Sequence, residues 1–166
     1  MATRASLVNS NPDAKGWLLN KVKRPPSDWD SRAFLTVPGL VWTVDSDTCM
    51  TGRVEAPRNI AYDELGREFV FRQPIDEAEL AAIMSADSNE IFACYRFDGL
   101  ERWTKASVEA WLADRHVIAG WLSHRLTSET DSEMVESLQA FHAYLTSDEF
   151  RTYLADFHRL VSSRPK

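Results

Sequence analysis

The 166-residue chain is 44% hydrophobic, has a formal charge of −6 and contains two cysteines and six tryptophans. A chain of this length buries about two-thirds of its unfolded surface and needs no metal or disulfide to hold it together. The composition excludes a disordered or disulfide-stapled chain, and no run reaches the roughly 18 apolar residues of a membrane helix. The default expectation is therefore a soluble cytoplasmic protein without a secretory leader.

Charge is unevenly spread. Residues 1–34 carry six basic side chains against three acidic, residues 35–102 carry six against thirteen, and residues 103–166 carry seven against nine. An acidic body repels nucleic acid, whose binding draws on Lys and Arg neutralising phosphates, so that partner class is left only to the basic N-terminal segment. Arg outnumbers Lys fourteen to five, a pattern of GC-rich coding that suggests a bacterial or phage source.

Residues 1–31 show no sustained period of 2 or 3.6 and are predicted to form a basic arm ahead of one α+β domain over 32–166. Within the arm, Trp17-Leu18-Leu19 is followed by Lys21, Lys23 and Arg24 and then by Pro25-Pro26. This is an apolar plug with a basic tail and a stiff extended step. It reads either as a tail packed on its own body or as a docking segment for a partner.

A small, mainly antiparallel sheet is predicted over residues 33–103, with one short inserted helix. Its strands are Phe34–Val37, closed by the turn dipeptide Pro38-Gly39, then Leu40–Val44, a possible return at Thr51–Val54, and Arg67–Arg72 after a loop through Pro57, Asn59 and Asp63. Ile91–Phe97 and Leu100–Trp103 flank Asp98-Gly99, the signature of a two-residue hairpin turn. The inserted helix starts at Asp76, whose spacing to Glu79 makes a capping box, and is expected to end near Met84.

Three amphipathic helices follow. The first is capped by Thr104 and runs its core stripe through Val108, Trp111, Leu112, Ile118, Ala119, Leu122 and Leu126. Gly120 inside it predicts a close crossing, since glycine there costs about 1 kcal/mol against alanine. The second opens with a capping box from Thr130 to Glu133, and the third with one from Thr146 to Glu149.

Chemical signatures are few. The six glycines never make G-x-G-x-x-G or a Walker loop, and His116, His124, His142 and His158 stand at no metal-ligand interval. Asp45-Ser46-Asp47 begins like a calcium loop but lacks the glycine and closing glutamate. Cys49 and Cys94 both read as buried thiols, although Cys94, His142 and Asp98 would suit a dispersed nucleophilic site if the fold brought them together. No cofactor and no metal is expected.

Aromatics are in surplus, and Trp, Tyr and Arg dominate interface hot spots. Trp29 lies among polar residues and Trp121 departs from its helix's stripe, which makes both anchor candidates. The sequence thus points to a non-enzymatic protein-interaction module, such as a small cytoplasmic inhibitor, an immunity or phage-encoded antagonist protein, or a complex subunit. Its partner-binding residues would be Trp17, Lys21, Lys23, Arg24, Trp29 and Trp121. The partner would be another protein and not a membrane. The alternative is a small hydrolase or transferase with a dispersed Cys/His site.

Overall fold

A computed structural model describes residues 29–164. After a 3-10 turn at Trp29–Ser31 the elements are β1 (Trp42–Thr43), α1 (Gly52–Glu55), β2 (Ile60–Tyr62), β3 (Glu68–Val70), α2 (Glu77–Asn89), β4 (Tyr95–Arg96), α3 (Gly99–Arg102), α4 (Lys105–Ala113), α5 (Arg115–Ser128), α6 (Ser132–Thr146) and α7 (Asp148–Ser162). β1 pairs antiparallel with β4, and β2 with β3. The result is an α+β fold with its long helices last, as the sequence predicts.

The β2–β3 hairpin is the partition of the molecule. Its register sets Ile60 opposite Val70, Ala61 opposite Phe69 and Tyr62 opposite Glu68. Because side chains alternate along a strand, Ala61, Phe69 and, just past the strand, Phe71 enter one apolar cluster. That cluster also holds Trp103, Trp111, Ile118, Leu138, Phe141, Phe150 and Phe157 from the helical half. Ile60, Tyr62 and Val70 enter a second cluster with Val41, Ile83, Cys94, Tyr95 and Met134. Both faces are covered, so apolar side chains occupy each face of the hairpin and neither face is a solvent side.

Several expected strands are not strands, each for a local reason. Phe34–Val37 is a turn and loop. There Gln73 donates from Nε2 to the carbonyls of Val37 and Val41, and its Oε1 accepts from Val41 N at 2.9 Å, so a buried side chain takes the bonds a neighbouring strand would have made. Thr51–Val54 holds the start of α1, folded back by Arg53 Nη1, which donates to the carbonyls of Pro57 and Ile60. Residues Ile60–Tyr62, expected as loop, supply β2.

The hairpin expected at Asp98-Gly99 is instead the start of α3. A Cβ on Gly99 would lie 2.0 Å from the Gly39 carbonyl oxygen, and Gly99 N donates to Leu40 O at 3.0 Å. This glycine serves close backbone approach rather than positive φ. Asp98 accepts from the Trp42 indole at 2.8 Å and from Arg102 at 2.9 Å, tying β1 to α3. The turn glycine with φ +80 is Gly66, between β2 and β3. Upstream of β4, Ile91 and Phe92 have exposed side chains, and their amides donate to the carboxylates of Asp47 and Glu90 instead of to a neighbouring strand.

The helices follow their caps closely. Asp76 Oδ1 accepts from Glu79 N at 2.8 Å. α2 continues past Met84 to Asn89, where Ser85 and Asn89 donate to Glu55 of α1. Thr104 and Ser107 form a reciprocal capping box. The helix that Thr104 opens breaks at Asp114 into α4 and α5, and Leu112 and Ala119 lie exposed while Val108, Trp111, Ile118 and Leu122 are buried. Among the described residues, no heavy atom beyond its own helix backbone and chain neighbours lies within 4 Å of a Cβ built on Gly120, so the close crossing expected from the sequence is not found among them. The last two caps fall one residue later than predicted, at Asp131 and Ser147.

Candidate functional site

Four segments of the chain, around residues 33–35, 44–45, 63–69 and 117–121, converge on a cleft of about 230 Å³. Its floor is Phe69 of β3 with Leu35, which belong to the helical-side core. One wall is Phe34, and the other is Val117 and Trp121, one turn apart on the same face of α5. Phe34 and Val117 are each 48% exposed, and because they line one cleft with Trp121 they form a shared apolar surface rather than singly exposed side chains. Trp121 is half-buried, meets the Phe69 ring edge-on with centroids 6.4 Å apart, and donates from Nε1 to Glu64 Oε2 at 3.1 Å.

The rim is acidic. Arg67 is held between Asp45 at 2.8 Å and Asp63 at 2.7 Å, and the hydrogen bond to Asp63 raises its guanidinium pKa further. Asp63 is itself fixed by accepting the amides of Leu65 and Arg67. One cation against Asp45, Asp63 and Glu64 leaves a rim of two net negative charges. Glu68 also borders the cleft, yet neighbours along a strand point to opposite faces, and its carboxylate lies on the side away from Phe69. There it accepts from Gly52 N at 2.7 Å and from the Tyr95 hydroxyl. Burial pushes the Glu68 carboxyl up, and the Tyr95 and Gly52 hydrogen bonds offset this only in part.

The nucleophile candidates are elsewhere. Cys94 is fully buried in the second cluster, and burial drives its thiol far above the ordinary range. Cys49, expected to be buried, is exposed on the polar turn after β1, where a hydrogen bond with Asp47 raises its thiol. His142 is exposed on α6, and Asp98 is occupied by Trp42 and Arg102. Among the described residues, no group of three His, Cys, Asp or Glu side chains is placed to hold a metal ion.

Of the anchor residues predicted from sequence, Trp121 lies at the cleft. Trp29 does not: it packs edge-on against Trp42 and Trp103 at 4.8 and 5.0 Å, under the Arg32 guanidinium. Trp17, Lys21, Lys23 and Arg24 lie outside the described residues. Phe34, Glu64, Arg67 and Val117 carry no linear signal as a set, because the chain must fold before they meet. No family model matches the chain, and neither does any curated protein or solved structure.

Proposed function

We propose that the chain is a non-enzymatic protein-interaction module whose cleft takes one large apolar side chain from a protein segment flanked by Lys or Arg. The observation that carries this reading is the pairing of an apolar floor with a net-negative rim at Phe34, Phe69, Val117, Trp121, Glu64 and Asp45. The volume argues the same way. Small-molecule and cofactor sites usually run about 300–1,000 Å³, whereas about 230 Å³ suits a single bulky side chain. The acidic rim selects basic flanks and speeds encounter with them. An inhibitor, an antagonist or a complex subunit would each use such a surface. Among the described residues no helix is long and apolar enough to cross a membrane. The alternative of a Cys/His hydrolase or transferase is less favoured, because the Cys94 thiol is sealed from solvent and held protonated.

The test is selection from a random displayed-peptide library on the full chain and, in parallel, on its Trp17→Ala variant. Enriched sequences should place Trp, Phe or Leu beside Lys or Arg, and their binding should weaken at least about tenfold on Trp121→Ala or Glu64→Lys, as expected for a hot-spot anchor. Selection of peptides without that pattern, or binding indifferent to both cleft substitutions, would sink the reading.

A further inference from the structure

The cleft has a candidate occupant within the same polypeptide. Residues 1–28 lie outside the described structure and carry five basic side chains against two acidic. Their largest apolar group, Trp17-Leu18-Leu19, is followed within seven residues of Trp17 by Lys21, Lys23 and Arg24. That is the ligand pattern the cleft selects. We propose that in the free protein the segment around Trp17 docks in the cleft, with the indole over Phe69 and Trp121 and the basic residues on the Asp45–Glu64 rim. This rests on the binding reading above, and it makes the arm a built-in competitor that a partner must displace.

Reach and local concentration support the assignment. The described chain starts at Trp29 and passes directly into Ala33, Phe34 and Leu35, which line the cleft. Eleven residues, 18–28, separate Trp17 from Trp29, where the described chain begins, and an extended chain covers up to about 3.3–3.6 Å per residue. That is about 40 Å, comparable to the width of a domain of this size, and the cleft begins only four residues further on at Ala33. A tether of this kind gives an effective concentration of about 1 mM. A contact with an intrinsic dissociation constant of only about 0.1 mM would then be about 90% occupied. Charge adds to it, since a segment of net +3 meets a rim of net −2. The exposed Phe34 and Val117 are the remaining apolar surfaces that Leu18 and Leu19 would cover.

Hydrogen-exchange mass spectrometry on the full chain tests this directly. Peptides spanning residues 15–24 should exchange about tenfold more slowly than the same sequence as a free synthetic peptide, as that occupancy implies. Trp17→Ala and Glu64→Lys should each abolish that protection and also speed exchange in residues 117–121. Reversing charge on both sides, Lys21→Glu with Lys23→Glu and Arg24→Glu on a chain carrying Asp45→Lys and Glu64→Lys, turns the arm to net −3 and the rim to net +2 and should restore part of it. Free-peptide rates for residues 15–24 in the unmodified chain would overturn the proposal, and so would protection that ignores the cleft substitutions. The peptide selection separates this failure from that of the binding reading. Arm docking predicts that selected peptides bind the Trp17→Ala variant about tenfold more tightly than the unmodified chain. Equal binding to both overturns docking and leaves the cleft a binding site, whereas no cleft-dependent binding to either overturns both.

Discussion

The half of the protein before Trp103 and the half after it are held together by different means. In the helical half, long regular elements satisfy their own backbone and the energy comes from apolar burial, as in the cluster of Trp111, Phe141, Tyr144 and Phe150. In the first half, the described strands are two or three residues long and satisfy little backbone. Buried side chains do the rest: Gln73 serves Val37 and Val41, Glu68 serves Gly52, Asn59 serves Arg72 O, and Ser46 serves Glu68 N. An unpaired buried polar group costs about 1–3 kcal/mol. A fold can therefore dispense with long strands where its polar side chains are placed to replace them.

The sharpest way to break this contrast is at the contact between the halves. Phe141→Ala empties the site against Phe69 and Phe71, whose rings lie 5.2 and 5.9 Å away, and should cost about 3–5 kcal/mol in chemical denaturation. A single transition would show that both halves unfold together; two transitions would show that the polar network holds on its own. Next in size, Gly99→Ala drives a Cβ into Gly39 O and should cost at least about 1–3 kcal/mol, with circular dichroism reporting whether the long helices remain.

The polar half should also reveal itself through pH. Burial, offset only in part by hydrogen bonds, raises the Glu68 carboxyl pKa from 4.5. Its contribution is therefore full below that value and is lost as pH rises through the folded-state pKa. Glu79 behaves oppositely. Burial pushes its carboxyl up, but hydrogen bonds from Arg72, Asn59 and Ile75 N outweigh that and hold it below 4.5, so its contribution is lost as pH falls. Glu68→Gln should flatten the decline of the denaturation midpoint above pH 4.5 and leave the acid limb in place; an unchanged upper limb would show that Glu68 does not ionise there. The smallest effect is expected in the helical half. Gly120→Ala, at an exposed helix-interior site with open space, should stabilise by about 0.5–1 kcal/mol, read as a rise in melting temperature.

The same division governs what the sequence made legible. The helices could be read because a 3.6-residue period and a cap are local signals, and the caps at Asp76 and Thr104 fall where predicted. The one-residue errors at Asp131 and Ser147 arise because Thr130-Asp131 and Thr146-Ser147 each offer two residues able to cap. The strand half misled because Asp98-Gly99 has turn chemistry but is used for close packing. The bonds from Gln73 to Val37 and Val41 span 36 and 32 positions, and no local pattern announces them. The cleft was legible at Trp121 alone, which its break from the apolar stripe marked out.

The two-faced hairpin has one more consequence. Where a strand has a wet side and a dry side, hydrophobicity alone fixes its pairing, because a slip of one residue would carry the dry side chains into water. β2 and β3 have no wet side, so a slipped hairpin would still bury apolar groups on both faces. Among the side chains of β3, Glu68 is the one that distinguishes the two alignments. In the observed one its carboxylate meets Gly52 N and the Tyr95 hydroxyl; shifted by one position it would enter the aromatic cluster around Phe141 with nothing to bond. A single buried acid thus proofreads the alignment of the hairpin on which both cores are built.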